Sequence, residues 1–240
     1  PPRSTLFPYT TLFRSYLMNT DFNWKKLYKI AGISALVIVL IIPVQVVVFS
    51  LFPPPEDSIG FIKLFHDNWL LGLLSLDLLY YFNNGFLVVF YLGLFASMRK
   101  VDFSGMLIAL VLGFIGIAIY YVSSIGFEML AVSKQYFQTD SIELKQQLIA
   151  IGHGLILRYK GTAFDVYYVF NAIALILIAK TMFKSVEFGK AAAVWGLIAG
   201  IFMIIPSTAG TIGLIFSLIS LIPWIVFSVI VGRKMLIMAK

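Results

Sequence analysis

The sequence predicts an all-α polytopic membrane protein: six transmembrane helices, both termini cytoplasmic, and one amphipathic outer helix between spans three and four. The first observation behind this is composition, because 60% of the 240 residues are apolar, 12% are charged and the mean hydropathy is +0.96. Soluble domains run near 45–50% apolar and about 25% charged. The second is the spacing of apolar stretches near 20 residues long, and the third is the uneven placement of basic residues between them. The absence of cysteine excludes a disulfide framework, thiolate zinc, iron–sulfur clusters and cysteine catalysis.

Residues 1–17 are read apart from the fold. Thr5 to Ser15 reads TLFPYTTLFRS, the codon-by-codon translation of a widely used sequencing-library adapter, and Arg3-Ser4 repeats its last two residues. Pro1–Leu17 is therefore expected to be an adapter scar and disordered, with Tyr16 and Leu17 as possible native residues and Met18 as the start. Taking 17 residues from 240 leaves 223, and taking Arg3 and Arg14 from a formal charge of +7 leaves +5.

A helix needs roughly 20 apolar residues to cross a bilayer core about 30 Å thick. Span one is expected over 31–52, preceded by Lys25, Lys26 and Lys29. Its apolar run is too long for the h-region of a signal peptide, and Phe49–Pro55 offers no small-x-small cleavage site. Pro43 should kink it, leaving Gln45 to bond a neighbour or the carbonyl that the proline frees. Span two is expected over 74–98, within the apolar stretch Trp69–Met98, whose first turns would stand at or above the membrane interface. Span three follows over 106–129, span four over 163–183, span five over 191–209 and span six over 212–231.

Orientation follows from the basic residues, which are retained in cytoplasmic loops. Lys25, Lys26, Lys29, Arg99, Lys100, Lys180, Lys184, Lys190, Arg233, Lys234 and Lys240 fall on one side, and only Lys63, Lys134, Lys145, Arg158 and Lys160 on the other. The positive charge is thus a topology signal, and with no basic run longer than two residues among these positions there is no nucleic-acid surface.

The long outer segment Leu130–Gly161 holds the predicted amphipathic helix. Asp140-Ser141-Ile142-Glu143 resembles a capping box, and Leu144, Leu148, Ile151 and Leu155 then recur at helical spacing. This helix is expected to rest on the bundle or in the lipid interface, as a packing element or as a lid.

Ionisable groups inside a membrane are costly and mark functional sites. Asp77 in span two is followed by Tyr81 and Asn84 at i+4 and i+7, with Tyr80 and Asn83 alongside; Asp165 near the outer end of span four is followed by Tyr168 and Asn171. These six, Asp77, Tyr81, Asn84, Asp165, Tyr168 and Asn171, form one candidate polar cluster if both carboxylates sit at similar depth. The alternative is an interfacial role, paired with Arg158 or Lys160 or hydrated, and the tyrosines also read as an aromatic belt.

Ala192, Gly196 and Gly200 form a small-xxx-small row suited to close helix packing within the chain or in a homodimer. Pro206-Ser207-Thr208-Ala209-Gly210 breaks the chain between spans five and six, as an outer turn or as the break of a discontinuous helix. Enzyme signatures are missing: His66 and His153 are the two histidines, too few for HExxH or a multi-histidine metal site, and neither GxSxG nor a P-loop occurs. No catalytic residue, metal or cofactor is expected.

Tyr28-Lys29-Ile30-Ala31-Gly32, Leu74-Ser75-Leu76-Asp77-Leu78-Leu79, Leu92–Lys100 with its basic end, Leu130–Tyr136 and Tyr168–Lys180 together resemble a group of six-span prokaryotic membrane proteins, domain-of-unknown-function family 4386. The resemblance spans nearly all of Asn19–Lys240. It implies a multi-pass protein of a prokaryotic cytoplasmic membrane and carries no catalytic residues. The expected function is non-enzymatic, whether accessory, sensory or lipid-interacting. Its partners would be the bilayer and a protein or second copy, with any small-molecule ligand unknown. The alternative is a small permease using Asp77 and Asp165 for proton or cation coupling.

Overall fold

The computed structural model describes residues 24–240, so the expected adapter scar lies outside the described residues. These residues form ten helices and no strand: α1 (Trp24–Leu51), α2 (Ser58–Asp67), α3 (Trp69–Ser75), α4 (Leu78–Met98), α5 (Phe103–Ser123), α6 (Gly126–Gln138), α7 (Ile142–Tyr159), α8 (Thr162–Met182), α9 (Gly189–Phe202) and α10 (Gly210–Met238).

Local chemistry sets several of these boundaries. Asp57, Asn68, Asp102 and Ser141 each accept a hydrogen bond from a backbone N–H in the first turn of the helix they precede, at 2.8, 3.0, 2.8 and 3.3 Å, supplying donors that helix starts leave unpaired. Asn68 also closes α2, its own N–H bonded to Leu64. Gly189 and Gly210 begin α9 and α10 with φ of +77° and +67°, a conformation that glycine adopts without steric cost.

Six helices close a ring in which each packs on the next, in the order α1, α4, α5, α8, α9, α10 and back to α1. The ring is apolar outside and carries its polar side chains inside. Leu40, Val47, Leu51, Ile108, Ile212 and Ile222 are more than half exposed, whereas Gln45, Asn83, Asn84, Asn171, Ser217, Ser220 and Ser228 are buried. So extensive an exposed apolar surface needs a lipid or protein cover. Five helical stretches are long and apolar enough to cross a membrane, within 24–51, 78–98, 103–138, 142–182 and 210–238.

The fifth expected span, 191–209, is not one helix. Its helix α9 has 14 residues, about 21 Å at ~1.5 Å per residue, and the chain then turns through Met203–Ala209. Span three, expected to run to Met129, is helical to Ser123; Ser124 and Ile125 intervene before α6 begins. Span two is interrupted at Leu76-Asp77, which separates α3 from α4.

One end of the ring gathers basic residues. Lys25 Nζ donates to the Lys240 carbonyl at 2.9 Å, the Arg99 guanidinium lies 3.8 Å from the Trp24 ring centre, and the Tyr28 hydroxyl reaches the Ala96 carbonyl at 3.4 Å. The start of α1 and the ends of α4 and α10 therefore lie together.

The short helices α2, α3, α6 and α7 pack on one another as a cap with its own core of Phe61, Ile62, Phe65, Leu73, Met129, Leu148 and Ile156. Inside the cap Ser133 Oγ donates to the Ile62 carbonyl at 2.6 Å. In α7 the buried row is Leu148, Gly152 and Ile156. Of the row predicted from Leu144, Leu148, Ile151 and Leu155, Leu148 is buried and Leu155 packs against the cap core, while Leu144 and Ile151 are exposed. The cause is the partner surface. Gly152 lets α7 approach Ser58 and Ile62 of α2, so that an added Cβ would meet Ser58 Cβ at 3.2 Å.

Candidate functional site

Gln45, Asn83, Asn171, Ser217 and Ser220 border one cavity of about 290 Å³ inside the ring, with walls from α1, α4, α8, α10 and the Met203–Ala209 turn and single residues from α5 and α7. Two of the surrounding helices carry a proline near it. Pro43 lies inside α1 and Pro223 inside α10, next to the lining residues Ile42, Gln45, Leu221 and Trp224. A proline removes one helical hydrogen bond and clashes with the preceding turn.

Asp77 lines the cavity where α3 gives way to α4. Its backbone is left-handed, φ 62° and ψ 31°, alone among the described non-glycine residues. Aspartate tolerates that region better than most residues, and strain of this kind concentrates at functional sites. Asp77 is 7% exposed, and its Oδ2 accepts a hydrogen bond from the Tyr159 hydroxyl. The break also frees the Leu74 carbonyl, which in an unbroken helix would accept from residue 78. Gln45 Nε2 donates to it at 3.2 Å. The expected neighbour bond of Gln45 is therefore made to another chain break, not to the carbonyl that Pro43 frees.

Deeper in the wall, Tyr91 donates to Asn171 Oδ1 at 2.8 Å, and Asn171 Nδ2 donates to the Tyr167 carbonyl at 2.8 Å. Two glycines of α5 make room for this link between α4 and α8. A Cβ at Gly113 would lie 2.7 Å from the Tyr91 ring, and one at Gly116 would lie 2.6 Å from Asn171 Nδ2.

Of the six residues predicted as one cluster, Asp77, Tyr168 and Asn171 line the cavity and Tyr81, Asn84 and Asp165 do not. The i+4 and i+7 spacing from Asp77 assumed a continuous helix, and the break resets the register, so Tyr80, Asn83, Leu87 and Tyr91 form the inward row. Tyr81 accepts at its carbonyl from Tyr121 and packs beside Phe127. Asn84 is fully buried and bonds the Tyr80 carbonyl at 3.0 Å. Asp165 accepts from Thr208 Oγ1, tying the first turn of α8 to the turn after α9. The two carboxylates thus have different partners.

Sequence reasoning missed Tyr159, Ser217, Ser220 and Trp224. The α10 residues carry a legible signal, because Ser217, Ser220 and Trp224 recur at one-turn spacing in an otherwise apolar helix and all three line the cavity. Tyr159 carries none, since its stretch of sequence reads as an outer surface helix. Ala192, Gly196 and Gly200 are all buried within the chain: a Cβ on Gly196 would meet the Phe227 ring of α10 at 2.9 Å, and one on Gly200 would meet Ile176 of α8 at 2.8 Å. Among the described residues no group of three or more His, Asp or Glu is placed to hold a metal, and His66 stacks on Phe137 at 3.7 Å between ring centres.

An apolar exterior, inward polar side chains set in an apolar core and five helical stretches of membrane-crossing length define a multi-pass helical membrane protein. No family model, curated protein or solved structure matches the chain.

Proposed function

We propose that this is a non-enzymatic, six-span protein of a prokaryotic cytoplasmic membrane that binds a small molecule in the cavity beneath its cap. The observation that carries the reading is the cavity itself. It is enclosed mainly by aromatic and aliphatic side chains, with a few polar groups at fixed positions, the make-up of small-molecule sites in general. In this reading α9 and the Met203–Ala209 turn complete a sixth crossing, and the basic end of the ring faces the cytoplasm. The kinship to family 4386 belongs to the same proposal and rests on the sequence segments that suggested it.

A permease is the second reading, supported by the two chain breaks beside the cavity, at Asp77 and at Met203–Ala209. Discontinuous helices at a binding site are a recurrent transporter feature. With Asp165 bonded to Thr208 away from the cavity, such a permease would work with Asp77 alone.

The test is occupancy. In lipid nanodiscs, four-carbon solutes should change the emission of Trp224, and Leu87→Trp, which fills the cavity from α4, should abolish the change. An equal response from the Leu87→Trp protein would overturn the reading.

A further inference from the structure

The unpaired groups on the cavity wall point to the chemistry of its ligand. Gln45 is 1% exposed and its Nε2 is taken by Leu74, which leaves Oε1 facing no donor. Asn83 is 5% exposed and its Oδ1 likewise has no donor among the described residues. Both are carbonyl oxygens, and carbonyl oxygens accept hydrogen bonds but cannot donate them. A buried acceptor without a donor bears its full desolvation cost; the residues that carry these two border one cavity, as does Tyr120, whose buried hydroxyl also has no partner among the described residues. Asp77 is the charged residue on the same wall, and no lysine, arginine or histidine of the described residues joins it there. The remaining surface is mostly aromatic and aliphatic, with Tyr80, Tyr167 and Trp224 among its rings, and such rings attract cations as well as hydrocarbon.

We propose that the cavity takes a small organic ammonium ion. Asp77 balances its charge, the amides of Gln45 and Asn83 turn their unpaired oxygens to its N–H groups, and its carbon skeleton lies among the rings. An anion would meet hydroxyls of the wall but no cationic group there, and would lie beside the Asp77 carboxylate. A neutral alcohol would satisfy one acceptor and leave the carboxylate without a counter-charge. The volume of about 290 Å³ limits the ligand to a small molecule. This inference rests on the cavity being a binding site, and the experiment below separates the two.

The whole chain in lipid nanodiscs is titrated with butylammonium, butan-1-ol and butanoate, followed by tryptophan emission, with Trp224→Phe identifying the cavity's share. Butylammonium should bind at least about tenfold more tightly than butan-1-ol, and butanoate should not bind, as expected when a charge pair is desolvated. Asp77→Asn should bring butylammonium down to the level of butan-1-ol. Asn83→Leu should weaken butylammonium while raising the thermal unfolding midpoint, because it removes an orphaned acceptor, and a purely structural asparagine would not give that opposed pair of effects. This second variant tests the assignment if Asp77→Asn folds poorly. Equal binding of butylammonium and butan-1-ol, or tighter binding of butanoate, with Leu87→Trp still abolishing the signal, overturns the ammonium assignment and leaves the cavity as a site. No response to any of the three solutes overturns both.

Discussion

The Tyr159 hydroxyl donates to Oδ2 of Asp77 across the seam between cap and ring. Tyr159 is the last residue of α7, and Asp77 stands between α3 and α4, so one hydrogen bond joins the cap's final turn to the residue that interrupts the second span. Both side chains line the cavity, which makes the seam part of the site.

Removing the phenol should therefore loosen the seam. Tyr159→Phe leaves a buried carboxylate short of one donor, and an unsatisfied buried group of this kind costs about 1–3 kcal/mol. Denaturant unfolding in mixed micelles should register that loss. Asp77→Ala combined with Tyr159→Phe should cost less than the two single changes added together, since both remove the same bond. Additive costs would mean that the bond contributes nothing.

The backbone of Asp77 makes a separate prediction. At φ 62°, a side chain with an unbranched Cβ and no local hydrogen-bonding group costs about 1–2 kcal/mol, while asparagine and glycine enter this region more readily. Asp77→Ala should be less stable than Asp77→Asn by roughly that amount, and Asp77→Gly should recover most of the difference. Equal stability of all three variants would contradict the left-handed assignment.

How much of this was legible in the sequence depended on whether each helix ran unbroken. The outward faces of α1 and α10 were readable because each is a long apolar run, and Asp77 stood out because a carboxylate in such a stretch is rare. The partners assigned to Asp77 were not readable, because Leu76-Asp77 interrupts the helix and no proline or glycine marks the break. Periodicity counted across it named Tyr81 and Asn84 where the structure turns Tyr80 and Asn83 inward. The cap was hidden for a related reason. Its core joins α2 and α3 to α6 and α7, segments far apart in sequence, and a stripe on α7 alone cannot say which partner it meets.

Two glycines in different surroundings should respond oppositely to alanine. At Gly154 in α7 nothing lies within 4 Å of an added Cβ, so Gly154→Ala should stabilise the helix by about 0.5–1 kcal/mol. At Gly113 the new methyl would lie 2.7 Å from the Tyr91 ring, and Gly113→Ala should cost about 1–3 kcal/mol as overpacking. It should also weaken ligand binding, because the ring it displaces carries the hydroxyl bonded to Asn171. Paired thermal unfolding curves decide this, and a Gly113→Ala protein as stable as the wild type would contradict the packing.

The proposed orientation can be read directly because the chain contains no cysteine, so any single introduced thiol reports its own side of the membrane. Asp140 is exposed beside the cap helix α7. Lys240 is bonded through its carbonyl to Lys25 at the basic end of the ring, and exposed Lys184 follows the end of α8. The sequence places eleven of the sixteen lysines and arginines after residue 17 on the Lys240 side, and such an excess holds a segment in the cytoplasm. In intact cells a membrane-impermeant maleimide should label Asp140→Cys and spare Lys184→Cys and Lys240→Cys, which should react only after lysis. Labelling of Lys240→Cys in intact cells, with Asp140→Cys protected, would invert the topology and place the cap on the cytoplasmic face.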